Sequence, residues 1–206
     1  GGQVSNVGVI DSYIVGKEYI GGICGSGNEG SVTNCYNTGT IAGNERVGGI
    51  CGTDYGSVTN CYNTGTITGS RRVGGICGTD YGSVTNCYNT GTITGNTRVG
   101  GICGYSTGSI KNCYNTETIT GGGGVGGICG DIGSGSVTNC YNIGTVTGSK
   151  SVGGICGYSD GSIKNCYSIG TITGSEHSGG VIGQNGDKYG KGSVLNCYFN
   201  EDVYTG

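Results

Sequence analysis

The sequence predicts an all-β fold, a parallel β-solenoid of about seven coils with three short strands in each. Two observations carry this expectation. The stretch Val47–Gly69, VGGICGTDYGSVTNCYNTGTITG, recurs residue for residue at Val73–Gly95, and looser copies begin at Ile20, Val99, Val125, Val152 and Ser178. The period is therefore 26 or 27 residues, a spacing at which one unit cannot bury its apolar side alone and must stack on its neighbours. The second observation is that no position of the copy holds Ala, Leu, Glu or Lys in a helical stripe, so the period is that of strands and turns. A propeller blade needs four antiparallel strands and about 40 residues, which the copy is too short to supply.

The elements follow in chain order. Residues 1–19 are a degenerate first coil: VSNVGVIDSYIVGKEYIGG aligns with SVTNCYNTGTITGSRRVGG, with Gly8 where the second cysteine of a copy falls. Residues 20–177 are regular coils and 178–206 a degenerate last one, all within a single domain, 1–206, because no linker interrupts the period. Within a copy, Val47–Gly52 reads as a first strand and Thr53–Gly56 as a turn. Ser57–Asn63 is a second strand, Thr64–Gly69 a third, and Ser70–Arg72 leads into the next coil. Seven coils at the strand spacing of about 4.8 Å make a rod roughly 30–35 Å long. Right-handed crossovers are the prior for such coils.

Stacking places like residues above one another. Asn34, Asn60, Asn86, Asn112, Asn139, Asn165 and Asn196 are expected to form an amide ladder, and the Tyr two residues on a ladder of rings. Strict alternation with Cys61 inward puts Asn63, Gly65 and Ile67 inward and Tyr62, Thr64, Thr66 and Thr68 outward; a bend after Tyr62 would bury the ring instead. The paired glycines Gly48 and Gly49 imply a sharp bend or a close backbone approach.

Composition excludes several classes. Gly supplies 51 of 206 residues, but there is no G-X-Y period and no Pro, so the chain is not collagen. Regularly placed Val, Ile and Tyr argue against disorder. A net charge of −3 with 11% charged residues leaves no basic patch for nucleic acid. No apolar run is long enough for membrane insertion. With no Met and an opening in mid-pattern, GGQVSN, the sequence reads as a processed or excerpted segment.

Thirteen Cys without a CxxC pair and with one His do not suit a zinc or iron–sulfur site, and no metal or cofactor is expected. Cys24–Cys35, Cys51–Cys61, Cys77–Cys87, Cys103–Cys113, Cys129–Cys140 and Cys156–Cys166 lie ten or eleven residues apart across a Gly-rich turn. Each could close a bridge within its coil, contributing roughly 2.5–3 kcal/mol on the chain-entropy account. The alternative is a ladder of small buried thiols, and Cys197, whose partner place is Ile182, is unpaired in either case.

The copy GGICGYSDGSIKNCYSIGTITG, Gly153–Gly174, resembles the GLUG repeat in its Gly-Gly pair, its Asn-Cys-Tyr triplet and its closing Gly. The likeness runs from Gly21 to about Tyr198 and departs from the pattern in having Cys at two places more often held by Val and Ser. The resemblance implies a bacterial extracellular or cell-surface module of the adhesin or stalk kind, not an enzyme, with a host or cell-surface protein or glycan as its partner. GLUG repeats are also found in some IgA-cleaving peptidases, and the repeat carries no known catalytic residues.

Other candidates are weaker. Asp54, Asp80 and Asp160 are expected to be solvated turn residues, and Arg46, Arg72 and Arg98 a solvated column. His177 lies beside Glu176 and Ser178, yet nothing places a nucleophile next to it. No polar cluster is expected to break the repeat, as the acid–base sites of β-helix enzymes do. The pairs Thr66/Thr68, Thr92/Thr94, Thr118/Thr120, Thr145/Thr147 and Thr171/Thr173 form an exposed face that resembles those of ice-binding solenoids. Unblocked strand edges, with only Glu201 and Asp202 as an acidic guard, suggest end-to-end self-association into a filament.

Overall fold

In the computed structural model, which describes residues 2–27, 29–186, 192–200 and 204–205, the chain winds into seven successive coils and part of an eighth. Every described strand pairs in parallel with its equivalent in each neighbouring coil, those of the end coils on one side only. In the first coil Gly8 lies opposite Tyr36, so that Val7 and not Gly8 falls at the cysteine place. The register matches like with like: Val58 with Val84, Tyr62 with Tyr88, Ile67 with Ile93, Val73 with Val99 and Cys51 with Cys77. The solenoid read from the repeat is therefore the fold.

The three extended stretches of a copy are present, and two of them are folded at a corner, so that five ladders run the length of the stack. One turn comprises Ser57–Thr59, Tyr62–Asn63, Ile67–Thr68, Arg71–Gly74 and Cys77–Asp80. The corner between the first two is Asn60, held at φ 54°. That left-handed conformation costs L-residues about 1–2 kcal/mol, but is tolerated by Asn, which explains why Asn recurs there independently of any ladder. The corner between the last two is the glycine pair. A Cβ at Gly49 would come within 2.8 Å of the Asn63 side chain and still closer to the Gly75 carbonyl, so the close approach inferred for this pair is real.

The interior holds two apolar lobes. One stacks the columns of Ile50, Cys51, Val58 and Cys61 with their equivalents, and the other those of Ile67 and Val73. Asn63 and its equivalents, fully buried, run beside the glycine pair and complete the inward set that alternation predicts: Cys61, Asn63, Gly65 and Ile67. Tyr62 is half-buried on the outer face, so the alternative bend that would bury it does not occur. Its ring stacks on Tyr36 and Tyr88 at 5.1 and 5.0 Å with interplanar angles of 4° and 3°, part of a six-ring column ending at Tyr167. Among the described residues there is no helix, and hence none long and apolar enough to cross a membrane.

Candidate binding groove

Uniform coils give a uniform surface, so a site must lie where the repeat changes. The fourth ladder carries two outward columns that change together. One aligns Glu45, Arg71, Thr97, Gly123, Lys150 and Glu176. The next residue of each strand is a bulge in the left-handed region, Tyr19, Arg46, Arg72, Arg98, Gly124, Ser151 and His177 in turn. In the fifth coil both columns fall to glycine within the run Gly121–Gly124, so a strip of the wall loses its side chains. On the adjoining fifth ladder the column of Thr53 and Thr79 becomes Tyr105, Asp131, Tyr158 and Gln184.

The result is a groove of about 1180 Å³ along the rod axis, its floor at Gly122 and Gly123, with Tyr105, Asp131 and Tyr158 along one wall and Arg98, Lys150 and His177 among its other boundaries. Arg98 Nε donates to Asp131 Oδ2 at 2.9 Å, and its guanidinium lies 5.1 Å from the Tyr105 ring centroid. Ser151 Oγ donates to Gln184 Oε1 at 3.1 Å. Tyr158 occupies the space Gly124 leaves: a Cβ there would come within 2.7 Å of the ring. Burial raises the pKa of the Tyr105 hydroxyl, which keeps it a donor at neutral pH.

The groove corrects the expectation that no polar cluster breaks the repeat. Its residues Tyr105, Asp131, Lys150, Tyr158 and Gln184 carry no motif of their own in the sequence. Three signals mark the place: the four-glycine run, the interruption of the arginine column at Gly124, and the one-residue lengthening between Cys129 and Cys140.

Two other expectations are corrected. Asp54 and Asp80 close strands of the fifth ladder and are 1% and 0% exposed, where solvated turn positions were expected. Each caps its own turn, Oδ1 accepting from the Gly56 or Gly82 N–H, and Asp80 Oδ2 also accepts from Ser106 Oγ at 2.7 Å. Burial pushes both pKa values up to about 6. Asp160, by contrast, is half-buried. The arginine column is packed too. Arg46 and Arg72 share Glu45 Oε1 at 3.7 and 3.5 Å, Arg46 lies over the Tyr19 ring, and the Arg72 side chain is 14% exposed.

The remaining candidate residues are spread along the rod. Thr66, Thr68, Thr92, Thr94 and Thr173 are exposed, and Thr118, Thr120, Thr145, Thr147 and Thr171 half-buried, in one outward face. All thirteen thiols are free, and eleven are buried in the same apolar lobe. Cys61 Sγ donates to Thr59 O at 3.2 Å and Val32 O at 3.6 Å, and its N–H donates to Cys87 Sγ at 3.4 Å. Burial pushes the thiols of Cys87, Cys103, Cys113, Cys129, Cys140 and Cys156 well above the ordinary range. His177 is exposed at one end of the groove. Among the described residues no three His, Cys, Asp or Glu side chains are arranged to hold a metal. The guard residues Glu201 and Asp202 lie outside the described residues.

A stack of registered parallel coils defines the class: a repeat protein of the parallel β-solenoid kind. The GLUG motif matches the chain at residues 16–42, 43–68, 69–94, 95–120 and 148–173, which together are more than half of it, and the chain belongs to that family. The unmatched interval 121–147 is the coil that opens the groove. No curated protein matches the chain. Among solved structures it is similar, with a TM-score of 0.68 and 24% identity, to a Bacteroides ovatus protein described as "a putative immunoglobulin A1 protease". The match covers 96% of this chain and 66% of that one, and shows the fold.

Proposed function

We propose that the chain is a non-enzymatic repeat module of a bacterial cell surface, a rod of the adhesin or stalk kind that holds a binding face away from its anchor. The observation that supports this most is the closure of every described strand into a ladder along one axis, with a change of wall on the surface at the fifth coil. Membership of the GLUG family and the likeness to a β-helical protein described as a protease fit a spacer or presenting part of a larger surface protein. The test is adhesion of beads coated with the purified chain to epithelial cells and matrix proteins. Saturable binding is the expected result, and uniform failure leaves only the stalk. Incubation with immunoglobulin A1 is expected to leave the antibody uncut; cleavage would overturn the non-enzymatic reading.

Two alternatives rest on separate observations. The registered outward threonines favour ice binding, for which thermal hysteresis lost in Thr92→Tyr with Thr118→Tyr is the test. Val7, Ile10, Tyr13 and Val15 near one pole and Val194, Leu195 and Tyr198 near the other are exposed, which favours end-to-end association. Light scattering at high concentration decides it: a strictly monomeric chain rules out the filament.

A further inference from the structure

The groove over the fifth coil has a chemistry that selects among ligands. Its floor cannot add a strand, because the main chain there is already paired: the Gly122 and Gly123 N–H groups donate to Asn96 O at 2.8 Å, and Gly122 O accepts from Ser149 and Lys150 at 3.0 and 2.9 Å. An extended peptide read through its backbone therefore has nothing to pair with. The two cations nearest the floor are each matched by an anion, whereas Arg71, at the third-coil end, shares Glu45 with Arg46 and Arg72. Arg98 is 2.9 Å from Asp131, Lys150 is 3.8 Å from Glu176, and Arg71 is 3.9 Å from Glu45. With Asp160 also in the lining, the one surplus positive charge lies at the exposed Arg71 end, and the stretch across Gly123 offers only paired cations to a phosphate, sulfate or acidic sugar.

What remains is two tyrosine rings flanking a fixed carboxylate–guanidinium pair, with hydroxyl and amide groups beyond. Ring faces cover apolar C–H surface, while planar polar side chains held in place by other bonds donate to and accept from hydroxyls. The open length suits a chain molecule, since lining residues come from the third to the seventh coil, four steps of about 4.8 Å. We propose that this groove binds a neutral oligosaccharide, an uncharged run of sugars lying along the rod axis across Gly123 between Tyr105 and Tyr158. The assignment deepens the adhesin reading and rests on it for its biological setting, though the chemistry does not depend on that setting.

The structure supplies a clean way to close the site. A Cβ at Gly123 meets nothing nearer than Lys150 O at 3.8 Å, and the same column holds Arg71 two coils earlier, so Gly123→Arg refills the groove without disturbing the ladder. The purified chain is applied to an array of neutral and acidic oligosaccharides, and the best-retained tetrasaccharide is then titrated calorimetrically. Retention of neutral sugars is expected, with affinity reduced tenfold or more in Gly123→Arg and in Tyr158→Ala, unchanged in Thr92→Tyr on another face, and with every variant's melting midpoint checked. Tyr105→Ala serves as a second wall variant should one of these fail to fold. Absence of any neutral sugar bound, preference for acidic sugars, or equal binding by Gly123→Arg overturns the assignment. The cell-adhesion assay separates the two readings. Adhesion that persists in Gly123→Arg without sugar binding sinks the groove alone, whereas sugar binding without adhesion sinks the adhesin reading alone.

Discussion

Two asparagine ladders run the length of this rod, built from the same residue at the same period, and they differ in almost every physical respect. The outer one, Asn34 to Asn196, is exposed, and each amide donates toward the N-terminal coil at 3.1–3.3 Å. The inner one, Asn37, Asn63, Asn89, Asn115 and Asn142, is fully buried, and its Asn–Asn bonds run the opposite way at 2.7–2.8 Å. Each inner amide also donates to a main-chain carbonyl two residues on, as Asn63 does to Gly65 O at 2.9 Å. The inner residue is there to keep a buried amide satisfied. The outer one sits at a left-handed corner, φ 51–54°, and its ladder is secondary. Burial, and not the residue type, decides what a ladder contributes, because an amide cut off from water must find its partners in the protein.

Breaking the inner ladder is expected to have the largest effect. Asn89→Ala removes the acceptor of Asn63 and the donor to both Asn115 and Gly91, and should cost about 3–5 kcal/mol in urea denaturation. A loss below 1 kcal/mol would mean that water enters the lobe boundary.

Next come the buried carboxylates, whose cost depends on pH. The folded state raises Asp54 and Asp80 to about 6, above the ordinary Asp value, so it holds their protons more tightly than the unfolded chain does. No penalty exists below about pH 4, and it grows as pH rises through the interval and is complete above about pH 6, on the order of 2–3 kcal/mol for each carboxylate. The melting midpoint should therefore rise between pH 7 and pH 4.5. The double variant Asp54→Asn, Asp80→Asn should flatten that rise, and an unchanged slope would show that the carboxylates are not responsible.

The outer ladder sharpens the comparison at a smaller scale. Asn86→Ala should cost about 1–2 kcal/mol, and Asn86→Gly only a few tenths, because glycine keeps the corner while losing the ladder. Equal losses in both variants would show that the side-chain ladder matters more than the backbone. The smallest effect concerns accessibility. In the native fold only Cys24 and Cys197 are half-buried, so only they should alkylate quickly, whereas all thirteen thiols should react after unfolding if the chain is reduced. One reactive thiol after unfolding would instead show that six in-coil bridges close when the chain is made in an oxidising compartment.

Much of this molecule is legible without coordinates because a solenoid turns sequence period into spatial position. Once Val47–Gly69 repeats, the axis, the registered columns, the inward Ile67 and the outward Thr66 all follow from strand pairing and alternation. The glycine pair at Gly48 and Gly49 announced its close approach for the same reason. What the repeat could not show is how the five ladders close on one another. Only the closed cross-section buries Asp54 and Asp80, packs Arg46 and Arg72 over Tyr19 and Glu45, and splits the core along Asn63. The groove is the clearest case. The four-glycine run is visible in the sequence, but that its empty column in the fifth coil becomes a floor beside the Tyr158 ring supplied by the sixth is not. Local period determines what is stacked along the axis; contacts across the coil are long-range, and only the tertiary structure decides them.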